Sequence, residues 1–211
     1  MSENNITIYM DLDGTLTDVS ERYYGIFSHY IQNYGFHIMS DAYMDLRRSG
    51  FSDSMILHQK YKINTPGDEF IGFKKNLLES REWLEKDSVI GEPRILKRYD
   101  AKFVLITQRN NKEEALYQIR KLKLDKLFEE VVILKPVINR NCKYDYLKER
   151  ACRQDYIIGD SPVELECARS LGINGCFVKT GLYGENIVKK EKIFKDYIEC
   201  VQLIFKEGIY D

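Results

Sequence analysis

The stretch Ile6 to Asp18, ITIYMDLDGTLTD, constrains this chain more than any other. A short apolar run ends in two aspartates spaced two apart, followed at once by Gly14 and Thr15. Strand side chains alternate between faces, so extended geometry carried through Asp13 points Asp11 and Asp13 the same way. Two carboxylates on one side of a strand end repel each other. Such a pair is kept where a cation sits between them or where one must carry a proton. Gly14 lets the chain leave the strand sharply and lets backbone N–H groups approach an anion closely. A polar Asp-Gly turn without chemistry is the plainest alternative. A calcium loop fails on spacing: counted from Asp11, position six is Leu16 rather than Gly, and position twelve is Arg22 rather than Glu.

At 211 residues the chain can bury one good-sized domain, or a core with a modest second lobe. Its formal net charge of −1 gives no global pull toward nucleic acid or anionic membrane, so local sites must do the recognition. No apolar run approaches the ~20 residues of a membrane helix. The N-terminal MSENN lacks the basic-then-apolar pattern of a signal peptide. The five cysteines are scattered, odd in number and contain no C-x-x-C, which argues for reduced thiols in a cytoplasmic protein. His29, His37 and His58 share no metal-ligand spacing and read as packing or surface residues.

After Asp18 the texture changes. Glu21 to Tyr34 is aromatic-rich at helical spacing, with Gly35 as a stop. Ser40 reads as the N-cap of a helix to Arg48, and Ser52 or Asp53 as the start of another toward Tyr61. Asn64-Thr65-Pro66-Gly67 is a break, followed by one long amphipathic helix from Asp68 to Lys86. Residues 19–88 therefore read as an all-helical insert. Short β-favouring runs then appear at Phe103–Thr107, Val131–Leu134, Tyr156–Ile158 and Cys176–Val178. Helical stretches separate them at Asn111–Leu122, Cys142–Cys152 and Pro162–Leu171, and a last helix is expected over Val188–Phe205. Such alternation predicts an α/β core, a Rossmann-like parallel sheet of right-handed βαβ units, formed by residues 1–18 and 89–211.

Ligands of such sheets collect at the carboxyl ends of the strands. The residues there are Asp11 and Asp13, Thr107, Lys135, and Gly159-Asp160: a nucleophile candidate, a hydroxyl, a cation and another carboxylate. Arg109, just past Thr107, reads as solvated.

The D-x-D-G-T pattern at Asp11, Asp13, Gly14 and Thr15 resembles the first motif of the haloacid dehalogenase-like hydrolase superfamily. The apolar run closed by Thr107 is similar to its second motif. Ile158-Gly159-Asp160-Ser161-Pro162-Val163-Glu164 resembles its G-D-x-x-x-D motif, with Glu164 where Asp is often found. The insert lies where the phosphoglycolate phosphatase-like and β-phosphoglucomutase-like branches carry a helical cap. The resemblance implies a Mg²⁺-dependent phosphatase acting on a small phosphorylated metabolite. In it Asp11 attacks phosphorus, Asp13 is the acid and base, and Thr107 and a lysine bind the phosphoryl oxygens. It further implies metal ligation by Asp11, Asp13 (through its carbonyl) and Asp160. Glu164 would hold the ion through water or orient the lysine. Lys143, at the start of the third-motif helix, is expected as that lysine ahead of Lys135. Gly14, Thr15, Gln108 and Arg47 are the substrate-binding candidates. A phosphotransferase or phosphomutase shares every core residue, whereas a binding protein should have lost an aspartate and a dehalogenase does not generally need the metal site.

Overall fold

The computed structural model describes residues 6–64 and 67–207. The apolar run forms β1 (Thr7–Met10), and the chain then passes the aspartate loop into a two-residue strand, β2 (Thr17–Asp18). The insert follows as α1 (Ser20–Gln32), α2 (Ser40–Arg48), α3 (Asp53–Met55) continuing into a π-helical turn (Ile56–Lys60), α4 (Gly67–Leu78) and α5 (Arg81–Leu84). β3 (Ser88–Val89) closes it by pairing antiparallel with β2. The core continues with β4 (Lys102–Gln108), α6 (Lys112–Lys121), β5 (Glu130–Leu134), α7 (Cys142–Leu147), β6 (Tyr156–Gly159), α8 (Pro162–Leu171), β7 (Asn174–Val178), β8 (Lys192–Phe194) and α9 (Tyr197–Glu207).

Six strands form one parallel sheet in the order β5-β4-β1-β6-β7-β8. The chain winds outward from β1 through β4 to β5, then returns to lay β6 on the other flank of β1. The winding direction thus reverses at β1, which puts the ligand crevice at its carboxyl end. Alternation divides the strand residues between two apolar layers. Ile8, Met10, Phe103, Leu105 and Ile158 pack with Tyr197, Val201 and Ile204 of α9. Tyr9, Val104, Ile106 and Ile157 face Leu147 of α7 and Cys167 and Ala168 of α8. With both faces covered, the central strands β1, β4 and β6 are largely apolar, as buried parallel strands require.

The insert has its own core, in which Phe27 stacks on Tyr43 at 4.9 Å and Tyr30 meets Phe70 edge-on at 4.9 Å. Several expectations shift. The helix expected over Asp68–Lys86 is two: Arg22 Nη1 takes the carbonyl of Leu78 at 2.9 Å, and Glu79 accepts from the backbone N–H groups of Asn110 and Asn111. Those contacts draw the chain out of the helix before α5 restarts. Ser40 is the first residue of α2 rather than its cap; Met39 occupies the cap without a side-chain bond. The α7 helix stops at Leu147, where the chain turns toward Asp155, and does not run to Cys152. The first half of Val188–Phe205 is no helix: Lys192–Phe194 adds β8 to the sheet. Its lysine-rich flanks hid it, although charged residues are how an edge strand is kept from pairing further. The break expected at Asn64–Gly67 includes residues 65 and 66, which lie outside those described. Among the described residues no helix is long and apolar enough to cross a membrane.

Asp155 joins β1 to the turn before β6, its two oxygens accepting from Thr7 N–H at 2.9 Å and Cys152 N–H at 2.8 Å. Asp155→Ala leaves both donors without partners, so chemical denaturation should show a loss of about 3 kcal/mol. A loss below about 1 kcal/mol would mean water replaces the carboxylate.

Candidate active site

The site starts from the turn after β1. Leu12 C=O accepts from Leu16 N–H at 2.9 Å, Thr17 N–H at 3.0 Å and Thr17 Oγ1 at 3.1 Å, which folds the chain tightly back. Gly14 turns with φ +73°, and a Cβ there would stand 2.6 Å from Asp160 Oδ2 and 2.9 Å from Gly181 Cα. Only glycine fits that approach. Its own N–H is spent inside the turn on Thr17 C=O, so it is not free for an anion. The buried Thr15 hydroxyl has no partner among the described residues.

Asp11 leaves β1 buried, its N–H bonded to Ile158 C=O at 3.0 Å. Lys143, in the first turn of α7 and 2% exposed, places Nζ 2.6 Å from Asp11 Oδ1 and 2.5 Å from Glu164 Oε1. Lys135 is exposed. Of the two lysines, the structure therefore brings Lys143 to the aspartates. Ser161 caps α8 by accepting from Val163 N–H and donates to Glu164 Oε2 at 2.6 Å. Glu164 folds back against the strand end because residue 159 is glycine: a Cβ there would lie 2.3 Å from Glu164 Cγ. Asp160 Oδ2 accepts from Leu182 N–H at 3.1 Å.

Asp11, Asp160 and Glu164 each bring a carboxylate oxygen within 4.8 Å of the others. Burial pushes Asp11 up to about 7, with Glu164 and Asp13 adding to the rise and Lys143 opposing it. Burial, then Asp11 and Glu164, hold Asp160 well above the carboxylate range. Burial works against the charge on Lys143, but Asp11 and Glu164 outweigh it and raise its proton affinity. Three carboxylates around one ammonium leave negative charge uncompensated in an all-oxygen donor set, which fits a hard divalent cation. The Asp13 side chain points elsewhere. Its Oδ1 takes Arg22 Nη2 at 2.5 Å and Arg109 Nη2 at 2.6 Å, and although burial favours its neutral form, the two arginines hold it below the usual carboxylate range.

Thr107, on the penultimate residue of β4, is buried, and its hydroxyl has no protein partner among the described residues. Gln108 is half-buried at the strand end. Arg47 lies in the insert against Asp53 at 2.8 Å, and Lys74 holds the other oxygen of Asp53 at 2.5 Å. The loop after β7 ties the halves together. Thr180 Oγ1 donates to Gly14 C=O, Leu182 N–H holds Asp160, and the Leu182 side chain sits in the core of the insert. Arg48 Nε reaches Gly181 C=O at 3.2 Å.

Sequence reasoning missed this loop and missed Arg22 and Arg109. Arg109, read as solvated, is 4% exposed. Its place directly after a sheet strand that ends at the crevice was the available signal. Arg22 stands in the first turn of α1 beside aromatic residues, and nothing local marks it.

The model of the haloacid dehalogenase-like hydrolase family matches residues 8–178. A comparison with curated proteins finds no match. Among solved structures, a haloacid dehalogenase-like family hydrolase from Streptococcus pneumoniae is 16% identical at TM-score 0.68, over 94% of this chain and 98% of that one. A protein of Haemophilus somnus described as a predicted phosphoglycolate phosphatase is also 16% identical at TM-score 0.68, over 96% and 99%. Protein Tyrosine Kinase A of Mycobacterium tuberculosis, 17% identical at TM-score 0.72 over 96% and 99%, shares the fold too. At such identities the likeness speaks for architecture alone.

The raised carboxylates set a pH dependence. A group whose folded-state proton affinity exceeds its unfolded one contributes stability below the unfolded value and loses it as pH rises through the folded one. Asp11 is pushed up to about 7, Asp87, buried just before β3, is likewise pushed by burial up to about 7, and Asp160 is raised, all from an ordinary value near 3.8. In chelator, the melting temperature should fall as pH rises from about 5 to about 8. A melting temperature that rises over that window would show the carboxylates are not destabilised by burial.

Proposed function

The chain belongs to the haloacid dehalogenase-like hydrolase family, and from that premise we propose a Mg²⁺-dependent phosphatase that works through a phosphorylated Asp11. The observation that carries the reading is the convergence of Asp11, Asp160 and Glu164 on the buried Lys143 at the carboxyl end of β1. Asp11 and Asp160, with the main-chain carbonyl of Asp13, are the candidates to hold Mg²⁺. Bound there, the ion would offset the repulsion between a carboxylate nucleophile and a phosphate dianion.

In the first half, an Asp11 oxygen forms a bond to phosphorus while the ester P–O bond breaks, and Asp13 gives a proton to the departing oxygen. In the second, water attacks the phosphoryl group, Asp13 takes its proton, and the Asp11–phosphorus bond breaks. Paired with two arginines, Asp13 begins ionised, which suits the second half. A phosphate dianion beside it raises its proton affinity by the like-charge effect, as the first half requires. In this reading Lys143 stabilises negative charge spreading onto the phosphoryl oxygens, and the hydroxyl of Thr107 donates to one of them. Both oxygens of Glu164 are taken by Lys143 and Ser161, which favours its role as the holder of the lysine over that of a direct ligand. Of the substrate-binding candidates, Gln108 stands half-buried at the end of β4, whereas Gly14 and Thr15 are buried in the turn after β1. Residues 19–88 act as a cap that excludes water and selects the substrate, with Arg47 as a contact for its outer part.

Asp11→Asn should lose at least ~10³-fold in kcat on a phosphomonoester panel, with the melting curve preserved or improved. Asp160→Ala should raise the Mg²⁺ concentration for half-maximal activity severely, because it removes one of two direct carboxylates. Near-normal turnover of the first variant, or an unchanged Mg²⁺ midpoint in the second, would contradict the assignment.

A further inference from the structure

Asp13 belongs to a closed ring of five side chains from five parts of the chain. Arg22 of α1 bonds Asp13 Oδ1 at 2.5 Å and Asp87 Oδ2, just before β3, at 3.0 Å. Gln118 of α6 donates Nε2 to Asp87 Oδ2 at 2.6 Å and accepts from Arg109 Nη2 at 2.9 Å. Arg109, past the end of β4, returns to Asp13 Oδ1 at 2.6 Å. Arg22, Asp87, Arg109 and Gln118 are all buried, whereas the Asp13 side chain keeps 22% of its surface open.

Both arginines grip one oxygen of Asp13. Its other oxygen, Oδ2, has no hydrogen-bond partner among the described residues and is the one left for chemistry. Fold stability is a poor reason for such a ring. Burying two cations and two anions costs much of what their attraction returns, and apolar side chains of the same size commonly do as well. Arg22 Nε, Arg109 Nε and Nη1, and Asp87 Oδ1 are moreover buried without partners, each at a further cost.

We propose that Arg22 and Arg109 are positioning residues for the proton transfers at Asp13, and that Gln118 and Asp87 hold the two guanidinium groups in register. The ring fixes the carboxylate rotamer so that Oδ2 alone meets the leaving oxygen and then the attacking water. Its members stand on the first helix of the insert, beside the return joint and on the core. Asp13 is therefore aligned when both joints take the arrangement seen here. This inference rests on the phosphatase reading above.

The test uses the full chain with Mg²⁺ and two esters, 4-nitrophenyl phosphate, whose leaving group needs no proton, and phenyl phosphate, whose more basic leaving group does. The variants are Arg109→Lys and Gln118→Leu, the second reaching Asp13 only indirectly, through Arg109 on one side and through Asp87 and Arg22 on the other, with melting curves on both. Each variant should lose about 10²-fold or more in kcat on phenyl phosphate, with KM changed less than about threefold. On 4-nitrophenyl phosphate each should release a burst of nitrophenolate equal to the enzyme present and then turn over slowly, because Asp11 is phosphorylated without an acid but not released without a base. If Arg109→Lys does not fold, Gln118→Leu carries the test alone. Unchanged kcat on both esters, or equal loss on both with no burst and a raised KM, would overturn the positioning role. Wild-type protein inert toward both esters would overturn the phosphatase reading, and this inference with it.

Discussion

Everything at the carboxyl end of β1 depends on how buried negative charge is balanced. Five carboxylates lie there, Asp11, Asp87, Asp160 and Glu164 buried and Asp13 partly open, against three cations, Arg22, Arg109 and Lys143. The charge is distributed unevenly. Asp13 and Asp87 share Arg22 and Arg109, Arg22 bridging the two, so cations match carboxylates in that half. Asp11, Asp160 and Glu164 share Lys143, so with all three ionised that half would carry an excess of two negative charges, and burial together with their mutual repulsion raises Asp11 and Asp160. An ion in a low-dielectric site is tolerated only when compensated. That imbalance is what the proposed divalent cation would offset, and it separates two aspartates that are two residues apart. Asp11 is turned toward the uncompensated half and Asp13 toward the neutral one.

The same balance explains why the insert sits where it does. Arg22, the second cation on Asp13, belongs to the first helix of the insert, and its other nitrogen closes the end of α4 on Leu78. On the far side, Leu182 spends its N–H on Asp160 and its side chain on the aromatic core of the insert. Arg22 thus holds Asp13 of the turn after β1, and Leu182 holds Asp160 at the end of β6, while both anchor the insert. A displacement of the insert cannot leave the carboxylates untouched, which, under the proposed function, is a physical route from substrate engagement to chemistry.

Much of this was legible in the sequence because much of it is local. Strand, turn and aspartates at Ile6–Asp18 are set by alternation and by one glycine. Gly159 to Glu164 announces a strand end, a Ser cap and a Pro-initiated helix within six residues. Lys143 was reachable from its place ahead of that segment. What escaped is long-range or runs against local preference. Arg109 and Asp13 are 96 positions apart, and a lone arginine after a strand looks solvated until its partner is known. The helix over residues 68–86 has unbroken periodicity, and only contacts with Arg22 and the Asn110–Asn111 loop divide it. The sixth strand, three residues among lysines, draws its identity from β7 beside it rather than from its own composition.

The central claim is that Asp11 becomes phosphorylated. The most direct measurement mixes wild-type protein and Mg²⁺ with radiolabelled phenyl phosphate, quenches in acid within milliseconds, and maps the label by peptide digestion. The account predicts a hydroxylamine-sensitive label confined to the peptide that contains Asp11, formed before free phosphate appears. Turnover with no labelled protein at any time, or a label on a different residue, would contradict it.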